Sequence, residues 1–448
     1  MNRTKALSLA TFLFAAMGGV LYGYDLGIIS GALLFLRHDI PMTDDQMSFL
    51  VAAVLGGGAF ATLITGPLSD WWGRRRMILV SSVIFIISVF IIVLANSYAV
   101  LLAGRIVQGV GVGVITIAVP LYLTESMPAH LRGRGVTAFQ LLLAFGILLA
   151  SLVGLAFTGS GDWRGMFLSA AVPGVIMFFG CFLLSDSPRW LAMKGRYEQA
   201  LAVLRKTRSE DEAQHELKQM KSALESGRKG FAVPKLKLMQ KRYLLPLFIV
   251  FAVAICNQLT GINSFLQFSA VILKNGGLDS NVIAMLGSTA ITGLNFVMTL
   301  IAISLSDKIE RKYLVSFGTG GIVLALAYCG FIYWWLPLGM LKGYMLLGGI
   351  LAFIFFYAVG PGALVWAILS ELLPSRIRGT GLAVALFLNS MTSTILASVF
   401  LGLVHHIGYT GLFWLCGCFT IFYFLVAACL VPKTKGKSLE DIEASFAS

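Results

Sequence analysis

Charge is scarce in this chain, and its scarcity excludes an ordinary water-soluble domain. Lys, Arg, Asp and Glu make up 12% of the 448 residues, whereas hydrophobic residues make up 58%. The uncharged runs are long enough to span a membrane as helices, which needs about 20 apolar residues each. The first run contains Asp25 and is too long for a cleavable signal peptide. We count twelve runs, at about 8–35, 47–71, 77–96, 99–123, 136–158, 165–185, 243–272, 281–304, 313–336, 343–370, 380–404 and 409–431.

Cysteine is also rare, and its positions argue against a metal site. The six cysteines fall in apolar runs without the spacing of metal ligands, so we interpret them as small packing residues. The sequence also lacks a nucleophile–base pair and a cluster of metal-binding side chains. We therefore expect no enzymatic activity, no metal and no cofactor. The cysteines are Cys181, Cys256, Cys329, Cys416, Cys418 and Cys429.

The basic residues predict how the chain is oriented. The net charge is +13, and Lys and Arg concentrate at the ends of the apolar runs. If the N-terminus is cytoplasmic, 29 of the 34 basic residues lie on the cytoplasmic side, as the positive-inside rule requires. We therefore predict a multi-pass protein of the inner membrane with both termini in the cytoplasm. A nucleic-acid partner is excluded, because the basic residues follow the helix ends.

A cassette that occurs twice indicates two related halves. A Glu, a Pro, an Arg and two Gly recur at the same spacing, 246 residues apart. A second repeated pair lies upstream of each cassette and consists of an Asp followed four residues later by an Arg. Two related halves in so apolar a chain predict a transporter whose site lies where the halves meet. The first copy comprises Asp70, Arg74, Glu125, Pro128, Arg132, Gly133 and Gly135, and the second Asp307, Arg311, Glu371, Pro374, Arg378, Gly379 and Gly381.

The repeat and the one long polar stretch divide the chain into four parts. We predict an N-terminal six-helix bundle at 1–185, a linker at 186–242, a C-terminal six-helix bundle at 243–431 and a tail at 432–448. The linker is rich in Glu, Lys, Arg, Ala and Leu, and it predicts two or three short amphipathic helices on the cytoplasmic face. The alternative is a solvated linker.

Asp25 and Arg105 are ionisable residues inside apolar runs, where a charge costs about 2.5–3.5 kcal/mol on insertion scales. Both are predicted in the outer half of their helices, at similar depth, so they could pair. One interpretation is a permanent structural ion pair. The other is a proton carrier, because an apolar surround favours the protonated carboxyl whereas a nearby guanidinium favours the ionised one.

Amides inside the apolar runs form a second group of candidates. They could join helices to one another, or they could bind a polyhydroxylated ligand, because each amide both donates and accepts hydrogen bonds. We favour the binding site. Aromatic rings could add flat apolar faces. The amides are Gln140, Asn257, Gln258, Asn263, Gln267 and Asn389, and the rings belong to Tyr22, Tyr24, Phe268 and Trp366.

The repeated charges predict a third group, at the cytoplasmic helix ends. Opposite charges at adjacent ends could form a network that latches these ends together when the protein opens outward. The alternative is a set of static salt bridges that also serves as a topology signal. The network comprises Asp70, Arg74, Glu125 and Arg132 in the first half and Asp307, Arg311, Glu371 and Arg378 in the second.

Several segments resemble known families. Gly66-Pro-Leu-Ser-Asp70-Trp-Trp-Gly-Arg74 resembles the signature loop of the major facilitator superfamily. Five further segments resemble the sugar porter family. They are Pro120-Leu-Tyr-Leu-Thr-Glu125, Ser187-Pro-Arg-Trp-Leu191, Gln258-Leu-Thr-Gly261-Ile-Asn263, Gly360-Pro-Gly362 with Trp366, and the tail at 432–440. The resemblance covers essentially the whole chain. It implies twelve helices in two pseudo-symmetric six-helix bundles, alternating access, and a hexose, pentose or polyol as substrate.

The resemblance also assigns roles to single residues. It places the sugar-contacting amides of the family at Gln140, Gln258, Asn263 and Asn389, and the Trp of the tenth span at Trp366. The carboxyl of bacterial proton symporters and its Arg partner fall on Asp25 and Arg105. Because facilitative members lack this Asp, its presence favours symport.

Some positions depart from the family pattern. Asn257 replaces the first Gln of a Gln-Gln pair, Gln267 and Phe268 replace a Tyr-Tyr pair, Ser390 replaces a common Trp, and Lys433 replaces the Glu of the tail motif. The first three lie near the expected pocket, so they bear on the choice of sugar.

Together these patterns predict an all-α membrane protein that imports a monosaccharide, hexose or pentose, with a proton as the coupling ion. We expect a monomer in a lipid bilayer. The alternative is a facilitative sugar or polyol uniporter of the same fold, in which Asp25 is a structural partner. A sugar sensor typically carries a longer cytoplasmic extension, and an efflux pump for apolar drugs would not explain the amides.

Overall fold

The described part of the chain consists of helices that run back and forth across a bundle. The computed structural model describes residues 3–128, 132–230, 241–306, 309–373 and 378–432, and the regular structure in these ranges is helical. The first half contains α1 (Arg3–Ala32), α2 (Leu36–Asp39), α3 (Asp44–Trp72), α4 (Arg74–Val93), α5 (Tyr98–Ser126), α6 (Arg132–Phe157), α7 (Trp163–Ser169) and α8 (Ala171–Leu183).

The linker and the second half continue this pattern. The linker contains α9 (Pro188–Met193), α10 (Tyr197–Leu204) and α11 (Glu210–Gly230). The second half contains α12 (Lys241–Leu259), α13 (Ile262–Gln267), α14 (Ser269–Asn275), α15 (Asn281–Ser306), α16 (Arg311–Trp335), α17 (Met340–Tyr357), α18 (Ala363–Glu371) and α19 (Arg378–Leu425). Two π-helical turns, Ala358–Gly362 and Val426–Leu430, follow α17 and α19.

The helices confirm the predicted twelve spans. Ten helical segments of the described residues are long and apolar enough to cross a membrane, and α19 counts among them as one. Gly408 interrupts α19 with a φ of 69°, so this element comprises two spans. The helix α1 supplies the twelfth span.

Polar caps fix where several spans begin. The helix α3 begins with a capping box, in which Thr43 Oγ1 accepts a hydrogen bond of 3.2 Å from the Gln46 N–H and Gln46 Oε1 accepts one of 3.0 Å from the Thr43 N–H. Asp162 caps α7 by accepting a bond of 2.9 Å from the Gly165 N–H. The caps satisfy backbone donors just outside the apolar runs, where water otherwise would.

Small residues bring the helices of the first half close together. A Cβ atom at Gly23 of α1 would lie 1.9 Å from the Leu143 carbonyl oxygen of α6, and one at Gly109 of α5 would lie 2.3 Å from the Val54 carbonyl oxygen of α3. Such approach is possible only without side chains and is typical of helix packing in membranes. It brings α1 and α5 into one tight bundle, and these two helices carry Asp25 and Arg105.

The linker helices pack on one end of the bundle, which we call the linker face; the other end is the distal face. Trp190 Nε1 of α9 donates a hydrogen bond of 3.0 Å to the Asp70 carbonyl oxygen, and Arg208 donates one of 3.1 Å to the Ser126 carbonyl oxygen. The linker helices share their own small apolar cluster around Trp190. The linker therefore contacts the first half through specific bonds. The division of the chain into four parts stays a prediction.

Several hydrogen bonds join the two halves near the distal face. Ser48 Oγ of α3 accepts a bond of 2.9 Å from the Leu401 N–H of α19. Ser151 Oγ of α6 lies 3.0 Å from Thr289 Oγ1 of α15, and Ser30 of α1 bonds with a hydroxyl of α14. The halves are therefore in direct polar contact at this end.

Candidate functional site

The ionisable residues Asp25 and Arg105 form a buried salt bridge. Arg105 Nη1 on α5 lies 2.8 Å from Asp25 Oδ1 on α1, and the two side chains are 1% and 0% exposed. The guanidinium carbon also lies 5.6 Å from the centre of the Phe167 ring, within the range of a cation–π contact. The pair is thus enclosed by α1, α5 and α7.

Gln108 joins this pair, although the sequence analysis did not single it out. It follows Arg105 by three residues, one turn along α5, and its Oε1 accepts a hydrogen bond of 2.7 Å from Arg105 Nη1. A polar amide one turn from a buried cation was the available signal. Asp25 Oδ2, Arg105 Nε and Gln108 Nε2 have no hydrogen-bond partner among the described residues. The carboxylate is therefore only partly satisfied.

The chemistry of the pair follows from its burial. Separating or neutralising one member leaves a buried charge without its partner, which costs several kcal/mol. Protonation of Asp25 removes the negative charge and frees the guanidinium to find other acceptors. Such an arrangement has two protonation states with different contacts, as coupling between protonation and conformation requires.

Three of the predicted amides form one hydrogen-bonded cluster in the second half. Gln258 Nε2 donates a bond of 3.3 Å to Asn389 Oδ1, and Asn263 Nδ2 donates one of 3.0 Å to Gln258 Oε1. Asn263 Nδ2 also donates a bond of 2.9 Å to Ser393 Oγ. Gly261 lies between the amides with a φ of 86°, and this left-handed residue ends α12 and starts α13.

Ser393 is a further member that the sequence analysis missed. It follows Asn389 by four residues on α19, so it shares the same helix face. The four side chains have donors and acceptors beyond those that they use for one another. A ligand rich in hydroxyl groups could therefore exchange its own hydrogen bonds for those within the cluster.

Asn257 and Gln267 are buried outside this cluster. Asn257 lies one residue before Gln258 and forms a side-chain hydrogen bond with Tyr357, the last residue of α17. Asn257 Oδ1 and Gln267 Nε2 have no partner among the described residues. Both side chains are 1% exposed, so neither one lines an open space in this conformation.

The other predicted contact residues lie on separate helices. Gln140 is half-buried on α6, and Trp366 on α18 is 42% exposed. Tyr22 is part-buried on α1, and its phenol is close enough to Asp25 for an electrostatic interaction. The hydrogen bonds that join Gln258, Asn263, Asn389 and Ser393 do not include these three residues.

Two of the predicted aromatic rings are packed against protein instead of facing a cavity. Phe268 is fully buried and stacks on Phe400, with 4.7 Å between the ring centres. The Tyr24 hydroxyl lies 2.6 Å from Ser169 Oγ. Their faces are therefore used in packing in this conformation.

In the first half, the repeated charges meet at the linker face. Arg74 Nη2 donates a hydrogen bond of 2.9 Å to Glu125 Oε1 and lies 2.8 Å from Asp70 Oδ1. Ser187 Oγ, at the start of the linker helix α9, donates a bond of 2.5 Å to Glu125 Oε2. The network therefore connects α3, α4 and α5 with the linker.

The second copy of the charges is described in part. Arg311 and Glu371 form an ion pair between α16 and α18. Asp307 lies outside the described residues. The helices α6 and α19 begin at Arg132 and Arg378, whose side chains lie outside the described part of the structure. The ion pairs of Arg74 and of Arg311 each lie within one half, and the latch between the halves stays a prediction.

Comparisons with known proteins agree with this architecture. The family described as "Sugar (and other) transporter" matches residues 11–446. The chain is 35% identical over 436 residues to the probable metabolite transport protein CsbC of Bacillus subtilis, which covers 97% of this chain and 94% of that protein. It is 34% identical over 447 residues to the glucose transporter GlcP of Staphylococcus epidermidis, with coverage of 98% and 97%.

Similarity extends to solved structures. The fold matches that of the proton:xylose symporter XylE, a member of the major facilitator superfamily, bound to 6-bromo-6-deoxy-D-glucose. The TM-score is 0.79 at 28% sequence identity, and the match covers 99% of this chain and 100% of that one. The predicted fold class and the resemblance to sugar porters are thus confirmed. The chain belongs to the sugar transporter family within the major facilitator superfamily, whose members are multi-pass membrane carriers and not enzymes.

Proposed function

We propose that this protein imports a monosaccharide, hexose or pentose, together with protons across the inner (cytoplasmic) membrane by alternating access. The observation that carries this proposal is the salt bridge between Asp25 and Arg105, a carboxylate and a guanidinium that are both fully buried within a membrane bundle. Ionisable residues at such depth are costly and mark ion or proton pathways. The relatives support a sugar as substrate, since two of them are named for transport of glucose and xylose.

In this proposal, Asp25 is the group that gains and loses the proton, and Arg105 stabilises its ionised form. When Asp25 is protonated, the attraction between the helices α1 and α5 weakens at this point. The helices then repack, and the site becomes accessible from the other side. The proton is the coupling ion, and the protein needs no cofactor.

The proposed sugar site is the amide cluster with its neighbours. Gln258, Asn263 and Asn389 supply hydrogen bonds from the second half, and Gln140 supplies one from the first. Trp366 supplies an exposed ring at which a sugar ring can stack. Three further predicted residues, Tyr22, Asn257 and Gln267, complete the proposed contacts, and the last two, which are buried in this conformation, would reach the sugar in another state of the cycle. A site built from both halves is what alternating access requires.

The proposed orientation puts the linker face and both termini in the cytoplasm. The concentration of basic residues at this face supports it. The hydrogen bonds of Ser30, Ser48 and Ser151 then close the outer end, which corresponds to a state that is shut toward the outside. We propose that the monomer in a lipid bilayer is the working unit.

A sugar or polyol uniporter of the same fold is the second candidate. The observation that favours it is the burial of the salt bridge between Asp25 and Arg105, which also suits a permanent structural ion pair. In that case both residues would hold α1 against α5 in every state of the cycle.

Reconstituted proteoliposomes separate the two candidates. We expect the wild-type protein to accumulate labelled sugar against its gradient when the outside is made acidic, and Asp25→Asn to lose this accumulation while sugar exchange persists. Asp45→Asn is the matched control, because Asp45 is an exposed carboxylate at the distal face and should keep uphill uptake. Accumulation by Asp25→Asn at the wild-type level would refute symport through Asp25.

A further inference from the structure

Gln108 and Asp25, the residue of the proposed proton site, accept hydrogen bonds from the same donor atom. Arg105 Nη1 donates to Asp25 Oδ1 at 2.8 Å and to Gln108 Oε1 at 2.7 Å. The Gln108 side chain is fully buried, so no bulk water competes for this bond. The guanidinium is therefore held between one charged and one neutral acceptor, with the Phe167 ring at its side.

These two acceptors respond differently to a proton. Protonation of Asp25 removes the anion that offsets the charge of Arg105, whereas the amide oxygen of Gln108 stays an acceptor at every pH. A buried guanidinium without any acceptor would be strongly disfavoured. Gln108 therefore contributes more to the stability of Arg105 after Asp25 has taken up its proton than before, because the protonated carboxyl keeps only a neutral carbonyl acceptor and no longer offsets the charge of the guanidinium.

We infer that Gln108 is a positioning residue of the proton site, whose amide oxygen holds the Arg105 guanidinium while Asp25 carries the proton. This inference rests on the proposed function, in which Asp25 exchanges the coupling proton. Gln108 lowers the cost of protonating Asp25 and keeps Arg105 close enough to reform the salt bridge when the proton leaves.

Few other groups could produce the same pH dependence. Among the described residues, those with an electrostatic interaction with Asp25 are Arg105 on α5 and Tyr22, whose phenol lies on α1 itself. The helices α8, α13 and α15 also contact α1 and contain no Asp, Glu, Lys, Arg or His. The charges of the remaining neighbours lie at helix ends: Arg132 and Arg134 begin α6, Arg164 begins α7 and Lys274 is near the end of α14.

The test is the pH profile of uphill sugar uptake in two variants with side chains of similar length. Gln108→Met deletes the acceptor, so protonation of Asp25 becomes harder and the half-maximal pH should fall by about one unit. Gln108→Glu places a second carboxylate beside the guanidinium, and two nearby carboxylates retain a proton to higher pH. The half-maximal pH of this variant should therefore rise.

The opposite signs distinguish a positioning role from a role in packing alone. A residue that only packs α5 would change expression or maximal rate in both variants and leave the half-maximal pH unchanged. An unchanged profile, or shifts of the same sign, would overturn the inference. If one variant does not fold, the other still has a predicted direction, and either an absent or an opposite shift overturns the inference.

Failure of this inference differs from failure of the proposed function. If Asp25→Asn loses uphill uptake while both Gln108 variants keep the wild-type profile, Asp25 remains the proton site and Gln108 has no part in it. If Asp25→Asn keeps uphill uptake, the proposed function fails first, whatever the Gln108 variants do.

Discussion

Ser30 and Ser269 link the two halves of the protein through hydroxyl oxygens 3.0 Å apart. Ser288 completes a buried triangle, at 2.6 Å from Ser269 and 3.2 Å from Ser30, and the Ala270 N–H donates a bond of 3.3 Å to Ser30 Oγ. A hydroxyl can donate once and still accept, so three hydroxyls can satisfy one another without a charge. Such a contact holds three helices together, α1, α14 and α15, and yet can be broken during each transport cycle.

We expect Ser30→Ala to loosen the distal end. Losing one hydrogen bond costs about 0.5–1.5 kcal/mol, which corresponds to roughly two- to tenfold faster amide hydrogen exchange in α14. The measurement is hydrogen–deuterium exchange of the peptide that contains 269–275. Ser398→Ala is the control, since Ser398 Oγ donates its hydrogen bond within its own helix, to the Ile395 carbonyl oxygen. Equal exchange rates in wild type and Ser30→Ala would mean that the triangle does not join the halves in solution.

Arg105→Leu should weaken coupling and change its pH dependence. Without the guanidinium, nothing favours the ionised form of the Asp25 carboxyl, which then keeps its proton to higher pH. We expect uphill uptake to fall and the residual activity to shift toward higher pH. The measurement is initial uptake in proteoliposomes across a range of outside pH. An unchanged pH profile would mean that Arg105 has only a structural role.

The amide cluster should determine sugar affinity. Gln258→Ala and Asn263→Ala each leave polar partners unsatisfied, which costs about 1–3 kcal/mol and should weaken binding about tenfold to a hundredfold. Trp366→Ala should weaken it by a similar factor through the loss of a stacking surface. Equilibrium binding to the purified protein measures these effects, with Gln214→Ala, an exposed amide of the linker, as control. Wild-type affinity in all three variants would mean that the amides join helices and do not bind the sugar.

Asp39 at the distal face should make stability depend on pH. Hydrogen bonds from Trp163 and Arg164 hold the pKa of its carboxyl below the usual value. Because the pKa is lower in the folded protein, the stabilising effect is present near neutral pH and disappears as the pH falls below about 4. Wild type should therefore melt at a slightly higher temperature than Asp39→Asn at pH 7, and the gap should close in acid.

Thermal melts of both proteins in detergent between pH 3 and pH 7 measure this gap. Asp279→Asn serves as control, because Asp279 is an exposed carboxylate near the same face. The side chain of Asp39 is itself 46% exposed, so the expected difference is small. A difference in melting temperature between wild type and Asp39→Asn that persists unchanged at pH 3 would contradict a stabilising role of the ionised Asp39 carboxyl.

The sequence alone determined the fold class and the number of spans. Whether a segment crosses a membrane depends on the length of its apolar run, which is a local property. The predicted run at 47–71 corresponds to α3, and the run at 313–336 corresponds to α16. Breaks within spans were predicted less completely: the run at 165–185 is divided between α7 and α8, and the run at 243–272 is divided at Gly261.

The sequence also singled out the residues whose chemistry does not suit a lipid environment. Asp25 and Arg105 stood out because a charge in an apolar run is rare, and the amides stood out for a similar reason. Their partners depended on the tertiary structure. Ser393 became visible only because helix packing turned it toward Asn263, whereas Gln108 lies one turn from Arg105 on the same helix, a spacing that the sequence already contained.

Tertiary structure also decided which adjacent residues share an environment. Asn257 and Gln258 are neighbours in sequence, yet one bonds with Tyr357 and the other with Asn389. Phe268 stacks on Phe400, which is 132 residues further along the chain. Successive residues of a helix point about 100° apart, so the rotation of each helix against its neighbours determines which side chain reaches a site. That rotation is set by the packing of the whole bundle, so it cannot be predicted from a single apolar run.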